Sequence, residues 1–413
     1  MSELTKSSGV EGFLQFVGQP KHRSQQALYE KLLSFNFPTT RDENWKYTRL
    51  GKIANGHFEL QKKFSAQLDL EKFILSDHVV VMENGSLCEE IIGTEPECST
   101  EFLDPGHTST VPLDESDIFV LMNRCYVEKV LWLHVPAGKK LTQPLQVLLV
   151  GNGKHIMSSP VIYVTIGKGA NAEVVVSAVS LNDAENFNNI LVQVHLEENA
   201  KFTLNTIQDE GPNGLLISNT KVIQEKGSEF NSNIVTLSGA LVRNGLHVEV
   251  AGVNCTTHLN GVVVASGKSH IDNHTFVDHK VAHCFSNENY RYVLEDNATG
   301  VFNGRVVVRK DAQKINAYQK NANVILSDSA HMNSKPELEI YADDVKCTHG
   351  STTGQLDAEA LFYLQSRGIS KSRAEKILVT AFVSEVLASF HNEKFRTFAQ
   401  GALSKRHEWE FVN

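Results

Sequence analysis

From about Val79 to Cys347 the chain consists of short runs rich in Val, Ile, Leu and Thr, broken by Gly, Asn and Asp, and this leaves little freedom of fold. VLWLHV at 130, VIYVTI at 161, AEVVVSAV at 172, ILVQVHL at 190, SEFNSNIVTL at 228, LNGVVV at 259 and NANVILSD at 321 are typical. Such residues suit a pleated strand, and the residues bounding them suit turns. The gaps have no room for the crossover helices that join parallel strands in α/β proteins. An antiparallel sandwich or barrel, or a β-solenoid, remains. KGANAEVVV at 168, ENAKFTLNT at 198 and KGSEFNSNI at 226 each place a turn residue and then a small residue before a strand. Their spacing of roughly 30 residues suits one coil of a repeating β unit. That favours a β-helix, although periodicity by itself leaves a sandwich almost as well supported.

Helical patterns flank this region. In SQQALYEKLLSF, Leu28, Leu32 and Leu33 recur at helical spacing, with Ser24 as the expected N-cap and Pro38 as a stop. After Cys347, the residues Leu356, Ala360, Leu361 and Leu364 form one stripe of a helix that Gly368 should end, and Ser370 should cap the next. That second helix, KSRAEKILVTAFVSEVLASF, is expected to bury Ile377, Leu378, Ala381, Phe382 and Val386. The expected organisation is an N-terminal helical region over 1–78, a β core over 79–347 and a C-terminal helical domain over 348–413. Two helices at the end of a solenoid carry more apolar surface than capping needs, which points to a partner.

A net charge of -9 over 413 residues argues against a nucleic-acid or anionic-membrane role, since phosphate contacts need clustered Lys and Arg. The six cysteines follow no framework spacing, so reduced thiols are expected. No stretch reads as a signal peptide or an apolar membrane span, and the cytoplasm is the expected compartment. Gly261 is one residue too far from Gly267-Lys268-Ser269 for a P-loop, and the intervening VVVAS reads as strand. The chain should therefore bind no nucleotide. It also lacks G-x-S-x-G, H-E-x-x-H and a dinucleotide fingerprint.

The segment PELEIYADDVKCTHGSTTGQLDAEALFYLQSRGI, residues 336 to 369, joins a strand, a polar loop and a helix. Its loop carries Cys347 and His349. If the strand begun at Leu338 runs through them, both side chains share a face and could meet one metal ion or sulfur atom. A thiolate is a soft ligand suited to iron or a nascent cluster, and imidazole is borderline. Two donors fall short of a closed tetrahedral site, and a cysteine merely packed in a polar loop is the plainer alternative. His270/His274 and His279/His283 repeat at i, i+4 and allow a second metal site, but histidines facing solvent or stacked along a solenoid explain them as well.

The 336–369 segment resembles the end of the core domain in the SufB/SufD superfamily of iron-sulfur cluster assembly proteins. PTTRDENWKYT at 38–48 and ENYRYVLEDNATGVFNGRVVVRKDAQKINAYQKNANVILSD at 289–328 resemble other parts of the same family. Gly350 and Gly354 after His349 are similar to its SufD branch. The resemblance implies a right-handed parallel β-helix core and a non-catalytic scaffold that pairs with SufB and binds the SufC ATPase through the helices after Gln355. It also implies that Cys347 and His349 lie at the SufB interface, where iron or a transient iron-sulfur cluster is shared. Leu356, Leu361, Phe362, Leu364, Arg367, Ile377 and Phe382 are then candidates for facing SufC or packing the helices. ATP-driven motion in SufC would open the interface, and an isolated chain would be expected to pair with itself. The competing readings are a carbohydrate-active enzyme on a parallel β-helix, for which no groove-lining Asp, Arg and Lys cluster is visible, and a metal-free homodimeric structural protein.

Overall fold

The computed structural model describes residues 9–60, 70–92 and 98–411. The core is a parallel β-solenoid of about eight turns. Each coil gives one strand to each of two sheets. One sheet includes Val161–Ile166, Phe187–Leu196, Leu215–Gln224, Leu241–Val250, His270–His279, Thr299–Val308 and His331–Ile340. The other includes Asn171–Ser180, Lys201–Asp209, Glu229–Ser238, Thr256–Ala265, Phe285–Leu294, Asn316–Ile325 and Lys346–Gly354. The sandwich alternative is thereby excluded.

The repeated turn motif has a direct physical cause. One corner of every coil needs a left-handed residue, and Gly169, Asn199, Gly227, Asn254, His283 and Lys314 fill that column with φ between 57° and 70°. The residue after each one points into the solenoid and is almost fully buried: Ala170, Ala200, Ser228, Cys255, Cys284 and Ile315. Gly and Asn tolerate φ > 0 at little cost, and the crowded interior favours a small neighbour. His283 is therefore a corner residue, while His279 lies on the inner face of a strand with Nε2 2.9 Å from Ser286 Oγ. The two do not share a face as their spacing suggested.

Three expectations need correction. The chain includes a helix inside the β region, Ile118–Tyr126, in which every residue is buried. Its apolar run from Ile118 to Met122 is as short as a buried strand, and Asn123 and Arg124, which donate to Pro160 O and Pro105 O, look in sequence like the polar end of one. Second, the first long helical pattern is broken: Arg23–Gln25 is a 3-10 turn and the α-helix covers only Gln26–Leu32, with no side-chain cap from Ser24. Third, the β core does not end at Cys347, because the last strand runs from Lys346 to Gly354 and pairs in register with Asn316–Ile325. The polar residues after Cys347 suggested a loop, but ladder pairing with the preceding coil overrides local propensity.

The helices lie along the solenoid's flanks rather than across its end. The N-terminal segment and helix Ile118–Tyr126 cover the first sheet through Phe13, Phe37, Phe58, Phe119, Phe187 and Leu215. Helices Lys371–Leu387 and Glu393–His407 cover the second sheet, where Val379, Val383, Leu387, Phe390 and Leu403 pack on Val235, Val262, Val264 and Val293.

Candidate metal-binding and partner-binding end

At the C-terminal end of the solenoid, His331–Ile340 and Lys346–Gly354 are the outermost strands of their sheets. The other end differs, since there each sheet finishes in an antiparallel strand, Ser86–Ile92 or Ser99–Leu103. The C-terminal edges present backbone N–H and C=O groups with no neighbouring strand, a ready template for another chain. Ile340 and Tyr341 beside them are 42% and 59% exposed, large apolar groups that single-chain packing leaves in water.

Cys347 and His349 lie on this last strand. The strand begun at His331 does not run through them, since it ends at Ile340 and a corner intervenes. They nonetheless share a face, because both belong to Lys346–Gly354. Cys347 pairs in register with Ala317 and His349 with Gln319, both buried inward-facing residues. The two donors therefore sit on the inner face of the terminal coil, where no further coil covers them. Cys347 is half-buried against the core, His349 is exposed, and burial pushes the Cys347 thiol up. A proton must therefore leave that thiol when a soft metal binds. Among the described residues no group of three or more His, Cys, Asp or Glu is placed to hold a metal ion. Further ligands would have to come from outside the described residues.

The solenoid interior changes character toward the same end. Its first coils are filled by Val, Leu, Ile and Phe, but the last coils place Glu288, Gln319, Asn321, Asn323, Ser334 and Ser351 inside. Ser334 Oγ donates to Asn321 Oδ1 at 2.7 Å and lies 2.7 Å from Ser351 Oγ, and Asn323 Nδ2 donates to Asn321 Oδ1 at 2.7 Å. Sequence reading missed this polar mouth. The signal was present in NAYQKNANV, where inward positions two apart carry Gln and Asn in place of aliphatics.

The C-terminal helices separate the remaining candidates. No residue of helix Ala358–Ser366 is buried. Leu356, Leu361 and Leu364 are half-buried, whereas Phe362, 72% exposed, and Arg367 face solvent. Gly368 at φ 84° ends this helix and Ser370 Oγ accepts from Arg373 N, both as expected. The next helix is turned relative to expectation: Ile377 and Ala381 are exposed, and Ala374, Val379, Thr380, Val383, Val386 and Leu387 are buried. Phe382 packs within the chain, with the Arg291 guanidinium 4.7 Å from its ring centroid. Val386 is buried as expected and Leu378 and Phe382 are half-buried, so the stripe is shifted by about one position, toward the β-branched surface of the second sheet.

The Trp45 motif forms the seam between N-terminal segment and solenoid. Arg243 stacks 3.9 Å from the Trp45 ring centroid and donates to Asn44 O at 2.8 Å. The buried Asp272 carboxylate meets Arg243, Thr48 Oγ1 and His274 Nε2, and Thr48 Oγ1 also lies 2.8 Å from His270 Nε2. Burial opposes the charge on Asp272, but Arg243 and His274 outweigh it and hold the carboxyl well below the usual range. Asp272 thus lies in register with His270 and His274 but not with the second histidine pair. His270 and His274 hold the Trp45 loop. A cleft of about 470 Å³ adjoins the seam, and its charges Lys335–Glu43 and Arg305–Glu339 pair with each other.

The chain is thus of the parallel β-helix class, flanked by helices, with a thiol and an imidazole on the inner face of one open, polar-lined end. The chain belongs to the SUF system FeS cluster assembly family defined by the SufBD core domain, which matches residues 149–382. It is 26% identical over 406 residues to the iron-sulfur cluster assembly protein SufD of Escherichia coli K12, covering 95% of each chain. An iron-sulfur cluster assembly SufBD family protein of Synechocystis is 29% identical over 88% of this chain and 86% of its own. The Arabidopsis thaliana protein ABCI7, chloroplastic, is 28% identical over 92% and 85%. Family membership carries a role in iron-sulfur cluster assembly. Among the described residues no helix is long and apolar enough to cross a membrane.

Proposed function

We propose that this chain is a non-catalytic, cytoplasmic scaffold subunit of a cluster assembly complex, paired end to end with a SufB-type β-helix and bound to a SufC-type ATPase through its C-terminal helices. The observation that carries this reading is the open end: two unpaired edge strands with Cys347 and His349 on the inner face of the same coil. A partner solenoid docked there satisfies the edges, covers Ile340 and Tyr341, and adds the ligands that two donors lack. Iron or a nascent cluster is the cargo. Cys347 supplies a thiolate once deprotonated, and His349 supplies an imidazole nitrogen.

Helix Ala358–Ser366, with no buried residue and Phe362 in solvent, is the handle for the ATPase, alongside Arg367 and Ile377. Leu356 and Phe382 pack against the core of the second sheet and its helices, and the half-buried Leu361 and Leu364 belong to the helix that adjoins Lys371–Leu387, which ties the handle to the solenoid. Because helix Lys371–Leu387 packs on the second sheet, whose last strand is Lys346–Gly354, motion at the handle is passed to the open end. Nucleotide hydrolysis belongs to the partner, whose motion opens and closes the shared site.

Coexpression with a SufB-type and a SufC-type protein tests this. Stoichiometric copurification is expected, with Phe362→Asp losing the ATPase and Tyr341→Lys losing the SufB-type chain. Recovery of this chain alone in every case contradicts it.

A further inference from the structure

The residue column behind His349 is Gln319 on the preceding coil and Glu288 on the one before, each directly in register with the next. Both are buried, at 3% and 0% exposure. Glu288 Oε2 accepts from Gln319 Nε2 at 3.0 Å and from Thr275 Oγ1 at 2.8 Å. The carboxyl therefore fixes the amide's NH2 group on its own side, leaving the Gln319 carbonyl oxygen turned from it. That oxygen is buried and has no hydrogen-bond partner. Space for the amide is made across the solenoid at Gly304, where a Cβ would come within 2.0 Å of Gln319 Nε2. An unpaired buried acceptor is costly, and so is a buried carboxyl. Burial pushes Glu288 up to about 7, against the pull of Gln319 and Thr275, so the column is held in place without a full permanent charge.

The next rung, about 4.8 Å away as adjacent strands require, is His349. A metal-binding imidazole is normally held by a hydrogen bond from its second ring nitrogen to an oxygen, which fixes both tautomer and ring orientation. We propose that Gln319, clamped by Glu288, is the positioning residue for His349: its carbonyl oxygen accepts the N–H of one ring nitrogen and leaves the other nitrogen's lone pair aimed out of the open end at the iron cargo. This rests on the reading of His349 given above. Gln319 itself touches no cargo. In the structure His349 is exposed and the Gln319 oxygen free, so the bond forms as the ring turns inward on loading.

The test uses the copurified complex and Co2+ alone as the probe, read by its d–d absorption, with thermal melting measured in parallel. Gln319→Met keeps shape but removes both polar atoms, and it should weaken Co2+ uptake by roughly 10–100-fold while the melting temperature stays the same or rises. Glu288→Leu should match it, whereas Glu288→Gln, which keeps an acceptor for the amide, should bind within about twofold of wild type. His349→Ala sets the scale by removing the nitrogen ligand. If His349→Ala weakens uptake and Gln319→Met does not, the positioning role is wrong and the assignment of His349 stands. If His349→Ala binds as wild type does, the reading of the site fails, and this inference fails with it.

Discussion

Single residues in this solenoid are set by their column. His283 and Lys314 occupy corner positions at φ 62° and 61°, where L side chains are strained and Gly or Asn is not. His283→Asn is expected to stabilise the fold by about 0.5–1 kcal/mol in a denaturant titration, because the corner conformation is kept and its cost falls. Buried carboxyls act in the opposite sense. Glu210, fully buried and accepting from Asn188 Nδ2 at 2.6 Å, is pushed by burial from 4.5 up to about 8. The folded chain then keeps a proton that the unfolded chain has lost between those values. Stability from this group is full below pH 4.5, falls as pH rises and levels off above about 8. Glu210→Gln should remove that slope, gaining roughly 1–4 kcal/mol at pH 8 and almost nothing at pH 4. The corner column was legible in sequence as a turn residue followed by a small one. The inward polar residues show in sequence only as the alternating Gln319, Asn321 and Asn323 of NAYQKNANV, and it takes the register to show that this face points inward.

At the scale of elements, burial separates the two kinds of C-terminal residue. Val383 is fully buried on the second sheet, and Val383→Asp should release helix Lys371–Leu387 at a cost of about 3 kcal/mol or more, seen as a lower melting temperature. Phe362→Asp should leave the melting temperature within about a degree, because a surface change away from packing rarely exceeds ~0.5 kcal/mol. The Asp272 network joins the N-terminal element to the core. Arg243→Met leaves a buried carboxylate without its main counter-charge, and a loss of about 3–5 kcal/mol is expected. Sequence pattern located strands and terminal helices, including the stop at Gly368 and the cap at Ser370. It missed helix Ile118–Tyr126, whose short apolar run from Ile118 to Met122 reads as a buried strand, and it misphased helix Lys371–Leu387, whose apolar residues do not fall on one narrow stripe.

The whole molecule is asymmetric along its axis. One end turns back on itself in antiparallel strands, while the other stops at a bare rung whose inner face holds Cys347 and His349. The pairing of these donors was legible because a period of two fixes their common face whichever strand carries them. Their place at an open rim was not, since nothing local announces that a coil is the last. A chain with such an end should also pair with itself when the partner is missing, through the same edge strands. Sedimentation of the isolated protein should therefore show a dimer that Tyr341→Lys weakens. The central claim is that these two side chains help hold cargo between this chain and a SufB-type partner. The most direct measurement is the iron content and Mössbauer spectrum of the anaerobically reconstituted three-protein complex, with Cys347→Ala and His349→Ala made singly and together. The account predicts intact complexes with iron reduced in each single variant and an altered spectrum for His349→Ala. Wild-type iron content and spectrum in the double variant would contradict it.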